Sequence, residues 1–151
     1  MTAIRPAGPA DLGALARMVI DFGAEFDDRP DPGVQARLAA AVDDPRTTFL
    51  LTGRPPVGFI ALRLRDVYWS ARPEVVVEDL YVMPAARGRG HGRGLLRAAI
   101  ASAREQGAGH LELTTTEEDV AAAALYRAEG LRETEHDDPG SGRVIWFGLT
   151  L

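Results

Sequence analysis

The chain has 151 residues, a formal net charge of −5 and 46% hydrophobic residues, as expected of one globular domain with a sizeable core. The acidic balance argues against a nucleic-acid partner, because a duplex attracts a basic protein face. Since the chain contains no cysteine, disulfides, thiolate metal sites and cysteine nucleophiles are all excluded. It shows no hydrophobic leader and no apolar run long enough to span a bilayer, so we expect a cytoplasmic location and no membrane partner.

Hydrophobic periodicity and turn residues predict elements in the order β-α-α-β-β-β-α-β-α-β-β. No linker, repeat or low-complexity segment interrupts this order, which predicts a single domain over residues 1–151. Strands are predicted at Thr2–Arg5, Thr47–Thr52, Val57–Trp69, Glu74 up to Pro84, His110–Thr115, Arg132–His136 and Arg143–Leu149, the last two joined across Asp137–Gly142. The helices are predicted to begin near Pro9, Val34, Gly92 and Glu117. The predicted buried faces carry, in the first helix, Leu12, Leu15, Val19, Phe22 and Phe26; in the second, Val34, Leu38 and Val42; in the third, Leu95, Leu96, Ala99, Ile100 and Ala103; and in the fourth, Val120, Ala124, Leu125 and Ala128.

The most informative stretch is a loop of alternating arginine and glycine, which joins the fourth strand to the third helix. Glycines let successive backbone N–H groups approach a ligand closely. The first N–H groups of the helix lack internal partners, and the helix dipole favours negative charge there. The loop adds guanidinium charges around the same point, at Arg87, Arg89 and Arg93. This arrangement predicts a pyrophosphate site.

Other phosphate-binding motifs do not match this sequence. A P-loop requires a lysine, and the chain has none: all 17 basic residues are arginine. The glycines at positions 88, 90, 92 and 94 alternate strictly, so no window matches the dinucleotide fingerprint GxGxxG. The three histidines, at positions 91, 110 and 136, are scattered and predict no metal site.

The segment VEDLYVMPAARGRGHGRGLL resembles the acetyl-CoA motif of the GCN5-related N-acetyltransferases (GNAT), most closely that of diamine acetyltransferase-like members. The resemblance implies a fold of the α+β class, a three-layer α/β arrangement with a mixed central sheet of about seven strands and four helices. It implies acetyl-CoA as co-substrate, held by the loop residues Arg87, Gly88, Arg89, Gly90, His91, Gly92 and Arg93. His91 stands where an aliphatic residue is usual. A homodimer is a further expectation from the family.

A second match lies in the fourth helix, where LYRAEGL resembles the family's LYxxxGF. The resemblance makes Tyr126 the general acid that protonates or stabilises the sulfur of departing CoA. Asp119 stands where the family has asparagine. An ionised carboxylate only accepts hydrogen bonds, so Asp119 either serves the N–H and hydroxyl groups of pantetheine or caps the helix.

The attacking amine arrives as an ammonium ion and must lose a proton. Glu78 and Asp79 are neighbours on a strand, so alternation predicts that they point to opposite faces and that only one faces the cleft. The resemblance favours Glu78 as the base or the amine anchor, with Asp79 structural and ion-paired; the alternative is that both are solvated strand carboxylates.

Backbone groups of Leu80, Tyr81 and Val82 match the family segment that pairs with pantetheine, where an N–H polarises the acetyl carbonyl. The acceptor pocket is expected between the first two helices and the third and fourth strands. Carboxylates beside aromatic rings suit a cationic amine. The residues of this kind in that region are Glu25, Phe26, Asp27, Asp28, Tyr68 and Trp69, with Glu78. The alternative for each residue of the acidic turn is an exposed loop position without a role in binding.

Together these features predict an N-acetyltransferase that moves acetyl from acetyl-CoA to a primary amine of a small molecule by direct attack. Two alternatives stay open on the sequence: a peptide or protein N-terminal acetyltransferase, and a non-catalytic regulatory module that binds acyl-CoA.

Overall fold

The computed structural model describes residues 3–116, 118–138 and 142–151. Over these residues the chain forms seven strands and four α-helices in the predicted order. The helices are α1 (Leu12–Ala24), α2 (Val34–Asp43), α3 (His91–Glu105) and α4 (Val120–Ala128). The strands are β1 (Ile4–Pro6), β2 (Thr47–Thr52), β3 (Gly58–Arg65), β4 (Glu74–Val82), β5 (His110–Thr116), β6 (Arg132–Asp138) and β7 (Gly142–Thr150). Two short 3₁₀ turns, Pro9–Asp11 and Pro84–Ala86, precede α1 and α3.

The strands form one mixed sheet in the order β1-β2-β3-β4-β5-β7-β6. All neighbouring pairs are antiparallel except β4 and β5, whose parallel pairing requires the crossover through α3. Helices cover both faces of the sheet, as the predicted three-layer class requires. Within the described residues, no helix is both long and apolar enough to cross a membrane.

Two hydrophobic clusters lie on opposite faces of the sheet. One packs α3 and α4 against the sheet and includes Leu95, Leu96, Ala99, Ile100 and Ala103, so the predicted buried face of α3 is confirmed. The other packs α1 and α2 against β2 and β3 around Leu15, Leu38 and Phe59. Burial of each large side chain contributes about 1.5–3 kcal/mol, which fixes the helices on their faces.

The sheet is split in its middle. β4 pairs with β5 only over Glu74–Val76 and His110–Glu112, and beyond Val76 the two strands diverge. Arg65 lies at the closed end, where its guanidinium contacts Glu74 at 3.0 Å and Glu112 at 2.7 Å. Along the split, no described strand pairs with this edge of β4, so its backbone groups are available to an extended ligand, apart from the carbonyl of Val82, to which Arg87 donates.

A β-bulge interrupts β4 next to the split. Ala61 of β3 lies opposite Asp79, whereas the next residue, Leu62, lies opposite Val77, so Glu78 is the extra residue. A bulge shifts the phase of side-chain alternation. Val77 consequently packs with the α3 cluster, while Tyr81, four residues later, packs with the α1–α2 cluster.

Not every predicted detail agrees with the structure. The predicted inward face of α4 is wrong in three of its four residues, because Val120 is 72% exposed and Ala124 and Ala128 are exposed too. Leu125 packs against the core as predicted, and the buried residues of the helix are Ala123 and Tyr126. The third strand ends at Arg65, well before Trp69. Parts of the expected elements lie outside the described residues: Thr2, Glu117 and the turn residues Pro139, Gly140 and Ser141.

Candidate active site

A groove of about 510 Å³ runs along the first turn of α3, and the predicted glycine loop forms one of its walls. Gly90 caps the helix with a positive φ of 84°, a conformation that glycine adopts without strain. A Cβ built on Gly92 would point at Leu125 and Val82, both of which line the groove. Further lining residues are Leu80, Ala86, Arg87, Gly88, His91, Arg93, Asp119, Ala121, Ala122 and Tyr126.

The arginines of the loop have different partners. Arg87 contacts Glu25 at 2.6 Å and donates to the carbonyl of Val82, while Arg93 lies 3.1 Å from the largely buried carboxylate of Glu129. Arg89 is exposed and has no partner among the described residues. Carboxylates therefore hold two of the three loop guanidinium groups beside the groove, whose lining combines glycines and alanines with larger side chains.

His91 is tied into the fold rather than standing free on the surface. Its Nδ1 lies 2.9 Å from Oγ1 of Thr52, which is fully buried in β2. This contact anchors the first residue of α3 to the sheet. His91 also lines the groove, so the predicted position of this residue next to a phosphate ligand is compatible with the structure.

Tyr126 lies where the split in the sheet meets the groove. It is 6% exposed and packs edge-on against Phe147, with 5.1 Å between ring centroids. Burial, and secondarily the charge of Asp119, raises the pKa of Tyr126 to about 12. The phenol therefore keeps its proton at neutral pH, as a general acid requires.

Asp119 precedes α4 and caps it. Its Oδ1 accepts a hydrogen bond from the backbone N–H of Ala122 at 3.1 Å. The residue also lines the groove beside Tyr126. The capping role left open by the sequence is thus observed, and a contact with pantetheine through the remaining acceptor capacity stays a prediction.

A second cavity, of about 180 Å³, fills the split between β4 and β5. It shares Leu80, Asp119 and Tyr126 with the groove, so the two spaces meet at the phenol. Its other lining residues are Phe22, Phe26, Val77, Glu78, Asp79 and Leu113–Thr116.

A third cavity, of about 280 Å³, continues toward the end of α1 and includes Phe22, Phe26, Asp28 and Asp79. The turn after α1 is tightly built. The N–H of Asp28 donates to the carbonyl of Gly23 at 2.9 Å, and a Cβ on Gly23 would lie 2.4 Å from the carbonyl oxygen of Asp28. The hydrogen bond to Gly23 fixes Asp28 at the wall of the cavity. Phe26 packs edge-on against Phe22 there.

Glu78 and Asp79 do not point to opposite faces, which corrects the expectation from simple alternation. The bulge turns both toward the α1–α2 side, and both line the cavity in the split. Glu78 contacts Arg63 at 2.8 Å, whereas Asp79, which was expected to be ion-paired, has no such partner among the described residues. Burial, and then the nearby charge of Glu78, raises the pKa of Asp79.

Four of the predicted acceptor residues line neither the second nor the third cavity: Glu25, Asp27, Tyr68 and Trp69. Trp69 donates from Nε1 to Glu74 at 3.2 Å, at the closed end of the split, five positions along β4 from Asp79 and thus roughly 16 Å away. Tyr68 beside it is 97% exposed. Glu25 faces Arg87 at the rim of the groove. The sequence analysis missed Phe22 as a cavity residue, because its helical spacing assigned it to the core face.

Comparisons with known proteins agree with this geometry. The acetyltransferase (GNAT) family matches residues 15–131. An aminoglycoside N(6')-acetyltransferase type 1 of Stenotrophomonas maltophilia is 34% identical over 98% of this chain and 93% of its own length. A streptothricin acetyltransferase of Streptomyces lavendulae is 45% identical over 41% of this chain and 32% of its own.

Among solved structures, the ribosomal-protein-alanine N-acetyltransferase of Brucella melitensis superposes with a TM-score of 0.81 over 99% of each chain at 24% identity, which supports the fold. The fold and the site define an acyl-group transferase. The chain belongs to the GNAT family and is an acetyltransferase, so the non-catalytic alternative is not retained.

Proposed function

We propose that this acetyltransferase moves the acetyl group of acetyl-CoA to a primary amine of a small, cationic molecule. The observation that carries the proposal is the junction at Tyr126, where the glycine-lined groove meets a cavity that contains Asp79 and Glu78. One space suits an extended phosphate-bearing thioester and the other suits an ammonium ion, and a protonated phenol lies between them.

The residues of the groove fit acetyl-CoA. A side chain at Gly92 would project toward Leu125 and Val82, which line the groove, and the unpaired N–H groups at the start of α3 suit a pyrophosphate. The edge of β4 at Leu80, Tyr81 and Val82 offers backbone groups to the amides of pantetheine, apart from the carbonyl of Val82, to which Nε of Arg87 donates. An N–H there polarises the acetyl carbonyl, and Tyr126 holds the proton that the departing sulfur takes.

Two features support a cationic small molecule as the acceptor. Asp28 and Asp79 line one cavity together with the rings of Phe22 and Phe26, a combination that attracts ammonium groups by charge and by cation–π contact. The relatives named for aminoglycoside and streptothricin acetylation point to the same acceptor class. A homodimer, a single domain and a cytoplasmic location stay predictions.

The test is CoA release measured with a thiol reagent against kanamycin, 1,4-diaminobutane, an amino acid and a short peptide. Because the protein has no cysteine, it adds no background to this signal. We expect turnover with kanamycin or the diamine and a melting temperature that rises with acetyl-CoA. Turnover with the peptide alone would replace the proposal by an N-terminal acetyltransferase, and a melting temperature indifferent to millimolar acetyl-CoA would overturn the assignment of the groove.

A further inference from the structure

Adjacent carboxylates on β4 have different surroundings. Glu78 accepts a hydrogen bond from Nε of Arg63 at 2.8 Å, and the same guanidinium lies 3.6 Å from Asp44 at the end of α2. Asp79, the next residue, forms no hydrogen bond or ion pair through its carboxylate with any described residue. The charge of Glu78 is thus compensated within the protein, whereas that of Asp79 is not.

Asp79 also has the wider access to the acceptor space. It lines both acceptor cavities, whereas Glu78 lines only the one in the split. Phe22 and Phe26 line both cavities as well, so an ammonium ion next to Asp79 would sit against aromatic rings. Tyr126 lines the cavity in the split, which places the phenol and the Asp79 carboxylate around one space.

The bulge is what produces this arrangement. Without the extra residue at Glu78, alternation would turn Asp79 toward the α3 face together with Val77. Both carboxylates instead share the acceptor side, and Arg63 compensates one of them. Partial burial favours the neutral form of Asp79, which makes this carboxylate a better proton acceptor than a solvated one.

We propose that Asp79, rather than Glu78, takes the proton from the acceptor ammonium, while the Arg63–Glu78 pair holds β4 in place as a positioning element. This inference rests on the proposed acetyl transfer from acetyl-CoA to an amine.

The ammonium gives one proton to the Asp79 carboxylate and becomes a neutral amine. Its lone pair forms the C–N bond to the acetyl carbon, the C–S bond breaks, and the electron pair leaves on sulfur, which takes the proton of the Tyr126 hydroxyl. The new amide nitrogen loses its second proton. Of the two protons removed from nitrogen, one restores Tyr126 and the other leaves to solvent.

The experiment compares Asp79→Asn with the matched variant Glu78→Gln, each of which removes one charge at nearly constant volume. With kanamycin as acceptor, we expect Asp79→Asn to lower kcat on the order of 10²-fold, and Glu78→Gln to lower it by less than about fivefold. Calorimetric titration of kanamycin into the protein without acetyl-CoA should show binding weakened roughly tenfold by Asp79→Asn. The acetyl-CoA-induced rise in melting temperature should persist in both variants and reports that they are folded.

A pair of small acceptors separates proton transfer from mere positioning. Ethylamine is an ammonium ion at neutral pH, whereas 2,2,2-trifluoroethylamine is largely neutral and needs no base. The loss of kcat/KM caused by Asp79→Asn should be large with ethylamine and less than about tenfold with its fluorinated analogue. Equal losses with the two amines would overturn the role of Asp79 as proton acceptor.

The outcomes also separate this inference from the proposed function. A larger loss in Glu78→Gln than in Asp79→Asn would return the role to Glu78 and overturn the inference, while the acetyl transfer would stand. A wild-type protein that neither binds kanamycin nor releases CoA with any amine of the panel would overturn both.

Discussion

The groove that we propose for acetyl-CoA and the cavities that we propose for the acceptor meet at Tyr126 but are constructed in different ways. The groove depends on backbone geometry, with Gly90 in a left-handed conformation, Gly92 without a side chain and a helix that begins at His91. The acceptor side depends on side chains from separate segments, among them Phe26, Asp28 and Asp79. A backbone site tolerates few changes at its glycines, whereas a side-chain site can change its ligand by substitution.

This difference explains why the groove could be predicted from the sequence, whereas the cavities proposed for the acceptor could not. A pyrophosphate at a helix N-terminus requires close approach to the backbone, which glycine permits, so the alternating glycines of this loop predict the site from sequence. The acceptor side has no such constraint, because each of its side chains also has an ordinary structural use. Mutations that act on one region and spare the other can therefore test whether the groove depends on backbone geometry and the cavities on side chains.

The largest effect is expected from Gly92→Val, which fills the groove. The first side-chain atom would lie 3.6 Å from Leu125, an ordinary contact, so the free protein should remain folded. We expect acetyl-CoA affinity to fall about 100-fold, which reduces the stabilisation at 100 times the wild-type Kd from about 2.7 to about 0.4 kcal/mol. Thermal unfolding with and without acetyl-CoA measures this.

Gly94→Ala is the matched control for that substitution. Its Cβ would lie 3.5 Å from Ile4, and Gly94 does not line the groove, so the acetyl-CoA-induced shift should be unchanged. An equal loss in both variants would show that the helix, not the groove, had been damaged.

If Tyr126 has the proposed role of general acid, Tyr126→Phe should lower kcat on the order of 10²-fold and leave the Kd of acetyl-CoA within about twofold, because the hydroxyl would act only when sulfur departs. The ring contact with Phe147 is retained. Since the pKa of Tyr126 is raised to about 12, the acid form is present below that value, and its ionisation should cause no fall in wild-type kcat up to about pH 10. A fall near neutral pH that disappears in Tyr126→Phe would contradict this assignment.

Asp119 belongs to the junction, and its two substitutions separate capping from ligand contact. Asp119→Ala removes the acceptor for the N–H of Ala122 and should cost about 1 kcal/mol in urea denaturation, whereas Asp119→Asn should retain the cap. The asparagine also removes the charge that helps to raise the pKa of Tyr126. If only the helix cap matters, the KM for acetyl-CoA stays within about threefold in Asp119→Asn.

The smallest effect is expected from Glu25→Gln, at the contact between the two regions. The ion pair with Arg87 is partly exposed, and such pairs contribute little to stability, so the melting temperature should barely change. The released guanidinium can turn to the pyrophosphate, and acetyl-CoA should bind up to about fivefold tighter at low salt. The gain should disappear at 1 M salt because screening shortens the range of the charge. Weaker binding would mean that Glu25 holds Arg87 in its useful position.

The fold was largely predictable, because the spacing of apolar residues along α3 predicts which face of the helix is buried. Leu95, Leu96 and Ala99 on that face all lie in the core. For α4 the same reasoning was mostly wrong. Its run of four alanines makes the faces of the helix almost equally apolar, so the burial of Tyr126 decides how α4 is rotated about its axis. Trp69 was grouped with the acceptor residues by its chemistry, but its place depends on how far β3 runs before the turn.

The bulge in β4 lies beyond the reach of a single sequence. Whether Glu78 or Asp79 faces the acceptor depends on one unpaired residue, and VEDL would be equally compatible with an uninterrupted strand. The compensation of Glu78 by Arg63 depends in turn on the register between two strands, which is a tertiary property.

The narrow junction between β4 and β5 has a consequence for motion. Among the described residues, three residue pairs form the ladder between β4 and β5, and the Arg65 ion pairs lie at its closed end. We therefore expect the two strands to separate more easily beyond Val76 than the other paired strands of the sheet. A pantetheine chain bound along the open edge of β4 would act as a partial extra strand and fill the split between β4 and β5. Amide hydrogens of Val77–Val82 should then exchange with solvent more slowly once acetyl-CoA is bound, while those of β2 hardly change. The co-substrate would thus complete the sheet of the enzyme that consumes it.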